Sequence, residues 1–189
     1  MESGDSMADM SDITAKKEKM PVPIKDIAQI GVMVATMEAA KMSLLFLPNV
    51  ELVTLFIILY TLFFRKKTIF AIYAFVLVEG ILYGFGIWWI MYLYIWPLLA
   101  LITYLCRKVV SLWFWCLLSA TFGLLFGALC SIPYLFVGGP TMAFTWWIAG
   151  IPYDIIHGIA NFTLCLILFI PLRSILHRIT GQSQKELQL

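Results

Sequence analysis

The chain has 189 residues, of which 62% are hydrophobic, 15% aromatic and only 13% charged, with a net charge of +2. That balance excludes an ordinary soluble domain and gives no basic surface for nucleic acid; it points to an all-α integral membrane protein of one domain. The four cysteines, Cys106, Cys116, Cys130 and Cys165, form no CxxC pair and read as plain helix residues rather than metal ligands or disulfides.

Residues 1–23 mix acids, lysines and small polar residues without an apolar period, which reads as a flexible tail and not as a cleaved signal. The first span runs from Ile24 to Leu47 and is stopped by Pro48-Asn49. Gly31, Ala35 and Ala39 recur every four residues along it, a small-residue stripe that lets another helix approach closely. That stripe serves either internal packing or a partner subunit. Glu38 and Lys41, three apart, are expected to neutralise each other. The second span, Val50 to Phe64, is followed at once by Arg65-Lys66-Lys67. The third, Thr68 to Phe85, contains Glu79 and, one turn later, Tyr83. The fourth carries Trp88, Trp89, Tyr92, Tyr94 and Trp96 and ends at Arg107-Lys108. The fifth, Val109 to Phe136, has a second small-residue repeat at Ser119, Gly123, Gly127 and Ser131, read as structural packing. SIPYLFVGGPT at its far end is expected to be a flexible loop. The sixth span is Phe144 to Pro171, and residues 24–178 form the membrane domain, with 179–189 as a second tail.

The basic residues set the orientation. Lys16 to Lys25, Arg65 to Lys67, Arg107-Lys108 and Arg173 to Lys185 fall on one side, and the three opposite loops hold no Lys or Arg. Six transmembrane helices with both termini cytoplasmic follow. The external half then collects Asn49, Glu51, Glu79, Tyr83, Trp88 and Trp89, with Trp146, Trp147, Tyr153, Asp154, His157 and Asn161 descending the sixth span. Asp154, His157 and Asn161 share one helix face, and ionisable groups at membrane depth must look onto protein or water. Aromatic walls with a few polar groups resemble a small-molecule site. Carboxylates without an external Lys or Arg suit a neutral or cationic aromatic ligand better than a multiply anionic one.

The small-residue AxxxA stripe at Ala35 and Ala39, the segment LPNVELVTLF (Leu47 to Phe56) and GIPYDIIHGIANF (Gly150 to Phe162) resemble the substrate-binding S component of an energy-coupling-factor (ECF) vitamin transporter. The resemblance covers residues 24–178. It implies a prokaryotic cell-membrane protein that captures a vitamin or vitamin precursor from outside and needs no cofactor of its own. It further implies docking through Ala35 and Ala39, extended by Gly31, onto a transmembrane coupling subunit driven by two cytoplasmic ATPases. The chain has no GxxxxGK[ST] pattern, so ATP is a matter for partners. The cargo stays open among thiamine, its pyrimidine precursor, vitamin B6, cobalamin and riboflavin. The alternatives are an intramembrane hydrolase, with His157 as base and Asp154 as its orienter, and a non-transporting membrane assembly protein.

Overall fold

The computed structural model describes residues 23–181, all helix and short connection, with no strand among them. Most of the two expected tails, 1–23 and 179–189, lies outside the described residues. Six helices follow in order: α1 (Ile24–Ser43), α2 (Val53–Phe64), α3 (Lys67–Tyr83), α4 (Ile87–Leu105), α5 (Leu112–Cys130) and α6 (Ile132–Thr180). By length and composition three of them, α4, α5 and α6, are long and apolar enough to cross a membrane, and α2 is a shorter apolar helix. In the most apolar windows of those three only about a third or fewer of the residues are buried, so the surface they present is itself apolar. Phe70, Leu77, Ile81, Trp113 and Leu117 are each around half exposed or more.

Successive helices run up and down. Asp26 at the start of α1 meets Lys67 at the start of α3, 2.6 Å apart, while Lys41 at the end of α1 reaches Glu79 near the end of α3. Phe63 at the end of α2 packs edge-on against His177 near the end of α6. Arg107 and Arg173 border one small cavity. The α2–α3 turn, the α4–α5 connection and the C-terminal part of α6 therefore share one end, the basic end. The opposite end carries the α1–α2 connection, the α3–α4 turn and the α5–α6 junction.

Local sequence explains the connections. After Ser43 the chain passes through turns closed by Leu44 N–H to Lys41 O, Leu47 N–H to Leu44 O and Val50 N–H to Leu47 O. Pro48 cannot donate, and Asn49 takes a left-handed φ of 59°, which Asn tolerates better than most residues. α3 stops at Gly84, whose φ of 88° favours glycine. Only Gly84, Phe85 and Gly86 separate α3 from α4. The Trp89 indole N–H donates back to Val76 O at 2.8 Å and closes that corner.

Two expectations about the fifth and sixth spans need correction. α5 ends at Cys130, not Phe136, and the Gly- and Pro-rich segment expected as a loop is helical. Its one break is Gly139, at φ 76° and ψ −174°. Pro140 supplies the reason: the helical region is disfavoured for a residue before proline, and at this position glycine can adopt the extended left-handed alternative. Helical residues thus run 132–138 and again 140–180. The second piece is about 60 Å at 1.5 Å per residue, roughly twice the hydrocarbon core of a bilayer. It passes through Pro152 and Pro171, each of which lacks a backbone N–H to donate but does not end the helix.

α5 and α6 form the tightest helix pair, and the small-residue repeat of α5 lies between them. A Cβ on Gly123 would come within 2.9 Å of the Gly158 backbone. The Gly127 N–H donates to Asp154 Oδ1 at 2.9 Å, and Ser119 and Asn161 exchange hydrogen bonds at 3.4 Å. Trp115 stacks on Phe169, and Tyr134 on Trp146 at 4.3 Å. Glycine and serine let two helix backbones approach until polar side chains of one reach the main chain of the other.

Candidate functional site

α2 is held at its start by one side chain. Its first N–H groups have no carbonyl partners within the helix, and a carboxylate just upstream supplies one. Glu51 does this: Oε2 accepts the Thr54 N–H at 2.9 Å and Oε1 accepts the Thr54 hydroxyl. The same Oε1 lies 3.1 Å from His157 Nε2 on α6. Thr54 Oγ1 in turn is 3.3 Å from Asn161 Nδ2. Glu51, Thr54, His157 and Asn161 are thus one hydrogen-bonded chain that ties the α1–α2 connection to α6.

Beside this chain lies a cavity of about 220 Å³. Leu44, Leu47, Pro48, Asn49 and Val50 form its rim, and Glu51, His157 and Lys41 supply its polar groups. Phe75, Tyr92, Trp96 and Phe126 complete the wall, with Phe126 packed edge-on to His157 at 5.0 Å. Trp88, Tyr92 and Trp96 form an edge-to-face ladder down one side of α4, at 5.4 and 5.3 Å. Such rings offer flat apolar area for stacking, and the charged groups at the rim fix orientation.

Of the residues expected at the site, Asn49 and His157 line this cavity. Asn161 is one step behind it, through Thr54. Asp154 faces α5 instead, with one oxygen on the Gly127 N–H and the other without a partner. Glu79 is fully buried behind Lys41, whose ammonium lies 4.9 Å from the Tyr83 ring and 5.7 Å from that of Tyr92. Trp88 reaches the wall only through Tyr92, and Trp89 is engaged with Val76. Trp146, Trp147 and Tyr153 do not line this cavity: Trp146 stacks on Tyr134, Trp147 packs edge-on to Phe144, and Tyr153 is 57% exposed.

Lys41 corrects the sequence reading twice. It pairs across helices with Glu79 rather than along α1 with Glu38, because it sits in the last turn of α1 and projects toward α3. It also gives the wall an ammonium, where no Lys or Arg was expected at this end. A lone lysine in an otherwise apolar span was the available signal, and its apparent neutralisation by Glu38 hid it. Trp96 and Phe126 were missed as well. The spacing of 88, 92 and 96 already places Trp96 on the face of Trp88 and Tyr92, whereas nothing in the sequence brings Phe126 to that face.

The other expected feature, the stripe on α1, points away from the bundle. α1 buries Met33, Met37 and Glu38, while Gly31, Ala35 and Ala39 are exposed. No described atom of the chain would come within 4 Å of a Cβ on Gly31. Within the described residues the stripe therefore takes no part in internal packing.

Compared with models of known protein families, with curated proteins and with solved structures, the chain has no match.

Proposed function

We propose that this chain spans a prokaryotic cell membrane six times with both termini cytoplasmic, and captures a vitamin or vitamin precursor from outside as the S component of an ECF-type transporter. The observation that carries the reading is the aromatic-walled cavity under the α1–α2 connection, at the end away from the basic residues. By the positive-inside rule Arg65 to Lys67, Arg107-Lys108 and Arg173 mark the cytoplasmic side, so the cavity opens outward. α2, at about 18 Å, is well short of the ~30 Å hydrocarbon core, which leaves room above its start for the connection and a ligand.

The cavity narrows the cargo. Pockets for drug-sized ligands span roughly 300–1,000 Å³, and about 220 Å³ fits a single aromatic ring better than cobalamin or riboflavin. Lys41 beside Glu51 offers both a donor and an acceptor, which suits a vitamin B6 form or the pyrimidine precursor of thiamine. The hydrolase reading loses its expected base–orienter pair, since His157 turns to Glu51 and Asp154 to Gly127. Native mass spectrometry of the purified protein tests capture: a retained single-ring compound is the expected result, and a protein that binds neither pyridoxine nor the thiamine pyrimidine overturns the cargo class.

The exposed stripe Gly31, Ala35 and Ala39 is the proposed docking face for the coupling subunit, with two ATPases supplying the drive. Small residues allow a partner helix to approach closely, and in lipid that packing is a main source of association energy. The double substitution Ala35→Trp and Ala39→Trp should abolish uptake in cells while leaving ligand binding by the purified protein within twofold. Normal uptake would refute docking through this face.

A further inference from the structure

Glu38, Lys41 and Glu79 meet between α1 and α3, and their charges do not balance. Glu38 is 9% exposed and Glu79 is 0% exposed. The Lys41 ammonium is bonded to Glu79 Oε2. Both oxygens of Glu38 and the remaining oxygen of Glu79 are buried with no hydrogen-bond donor. Glu38 stands one turn before Lys41 on α1 and so brings a second carboxyl to this ion pair. Two carboxylates are both acceptors, and neither supplies a proton to the other.

The other charged or titratable groups around the cluster do not make up the deficit. Tyr83 on α3 and Tyr92 on α4 lie under the Lys41 ammonium and bring no positive charge. Glu51 is a further acid, satisfied by Thr54 and His157. With both acids ionised the cluster holds one negative charge too many. A buried charge without a partner is costly, and two carboxyls sharing one site do not both ionise.

We propose that Glu38 and Glu79 hold one bound proton between them, and that Lys41 links this proton site to the cavity. The proton sits on Glu38 and is donated to Glu79 Oε1, while Lys41 neutralises Glu79 through Oε2. The excess charge and two of the three orphaned oxygens are then accounted for, and the third is the carbonyl oxygen of a neutral acid. Lys41 also lines the cavity. A ligand acceptor that drew its ammonium away would leave Glu79 without a counter-ion, and Glu79 would take up a second proton from the medium. Ligand capture is thereby coupled to proton uptake, a consequence that rests on the capture reading; the resident proton does not.

Infrared spectroscopy of the detergent-solubilised, ligand-free protein at neutral pH tests both parts. The wild type should show a carbonyl-stretch band of a protonated carboxyl that disappears in Glu38→Gln and persists in Asp154→Asn. Lys41→Met mimics an ammonium withdrawn by ligand, and the band should about double in it; Lys41→Gln serves as a second variant should Met not fold. A wild type without the band removes the proton site whether or not any ligand binds. A band that changes when sodium replaces potassium or choline assigns the site to a metal cation instead and overturns the proposal. A Lys41→Met spectrum identical to that of the wild type breaks the link to the cavity.

Discussion

Gly123→Leu is expected to be the most damaging single substitution in the helix bundle, destabilising it by about 3 kcal/mol or more. The reason is what the new side chain would meet. The Cβ alone would lie 2.9 Å from Gly158 Cα, Gly158 N and the His157 carbonyl carbon, all backbone atoms that cannot rotate aside. Relief requires α5 and α6 to separate. Separation would break the Gly127 to Asp154 hydrogen bond and the Ser119 to Asn161 exchange, leaving buried polar groups unpaired at about 1–3 kcal/mol each. Gly31→Leu is the matched control, because that position faces open space. Thermal unfolding in detergent should show a lowered midpoint for Gly123→Leu and a wild-type midpoint for Gly31→Leu. Equal midpoints would mean that the two helices do not meet along this face.

The second large effect belongs to Glu51. One carboxylate caps α2 at Thr54 and holds His157, so Glu51→Ala removes the start of the helix and the link to α6 together. Loss of a cap costs about 1 kcal/mol, and His157, only 4% exposed, is left with no acceptor. The rim of the cavity should loosen, and affinity for the captured compound should fall at least tenfold, or about 1.4 kcal/mol. Glu51→Gln keeps an oxygen for Thr54 and should lose less. Tyr153→Ala, on an exposed position outside the cavity wall, should stay within twofold of wild type. Isothermal titration with the compound identified by mass spectrometry measures all three. A Glu51→Ala protein that binds as tightly as wild type would move the site away from this cavity.

Much of the architecture was legible in the residues because it rests on short-range rules. Apolar runs separated by Pro48-Asn49, Arg65-Lys66-Lys67 and Arg107-Lys108 mark helix limits to within a few residues. The GGP sequence at 138–140 was legible in composition and misleading in form. Turn-formers suggested a loop, yet only Gly139 departs from helical geometry, since Pro140 restricts just the residue before it and is itself acceptable in the first turn of the helix that follows. Asp154, His157 and Asn161 were correctly grouped on one face by their spacing. That face is wide enough to meet two neighbours, so Asp154 packs on α5 while His157 and Asn161 reach the start of α2.

The sequence by itself determined an all-helical chain with an apolar surface, a basic end and an opposite end rich in acids and aromatics. Composition, helical period and the placement of Lys and Arg suffice for that, because each depends only on near neighbours along the chain. Which acid meets which base was decided by tertiary structure alone. Lys41 could pair with Glu38 on its own helix at no topological cost, but its place in the last turn of α1 carries it to Glu79, 38 residues away. The same packing that joins them also makes Lys41 part of the cavity wall and leaves the Glu38 carboxyl buried without a hydrogen-bond donor.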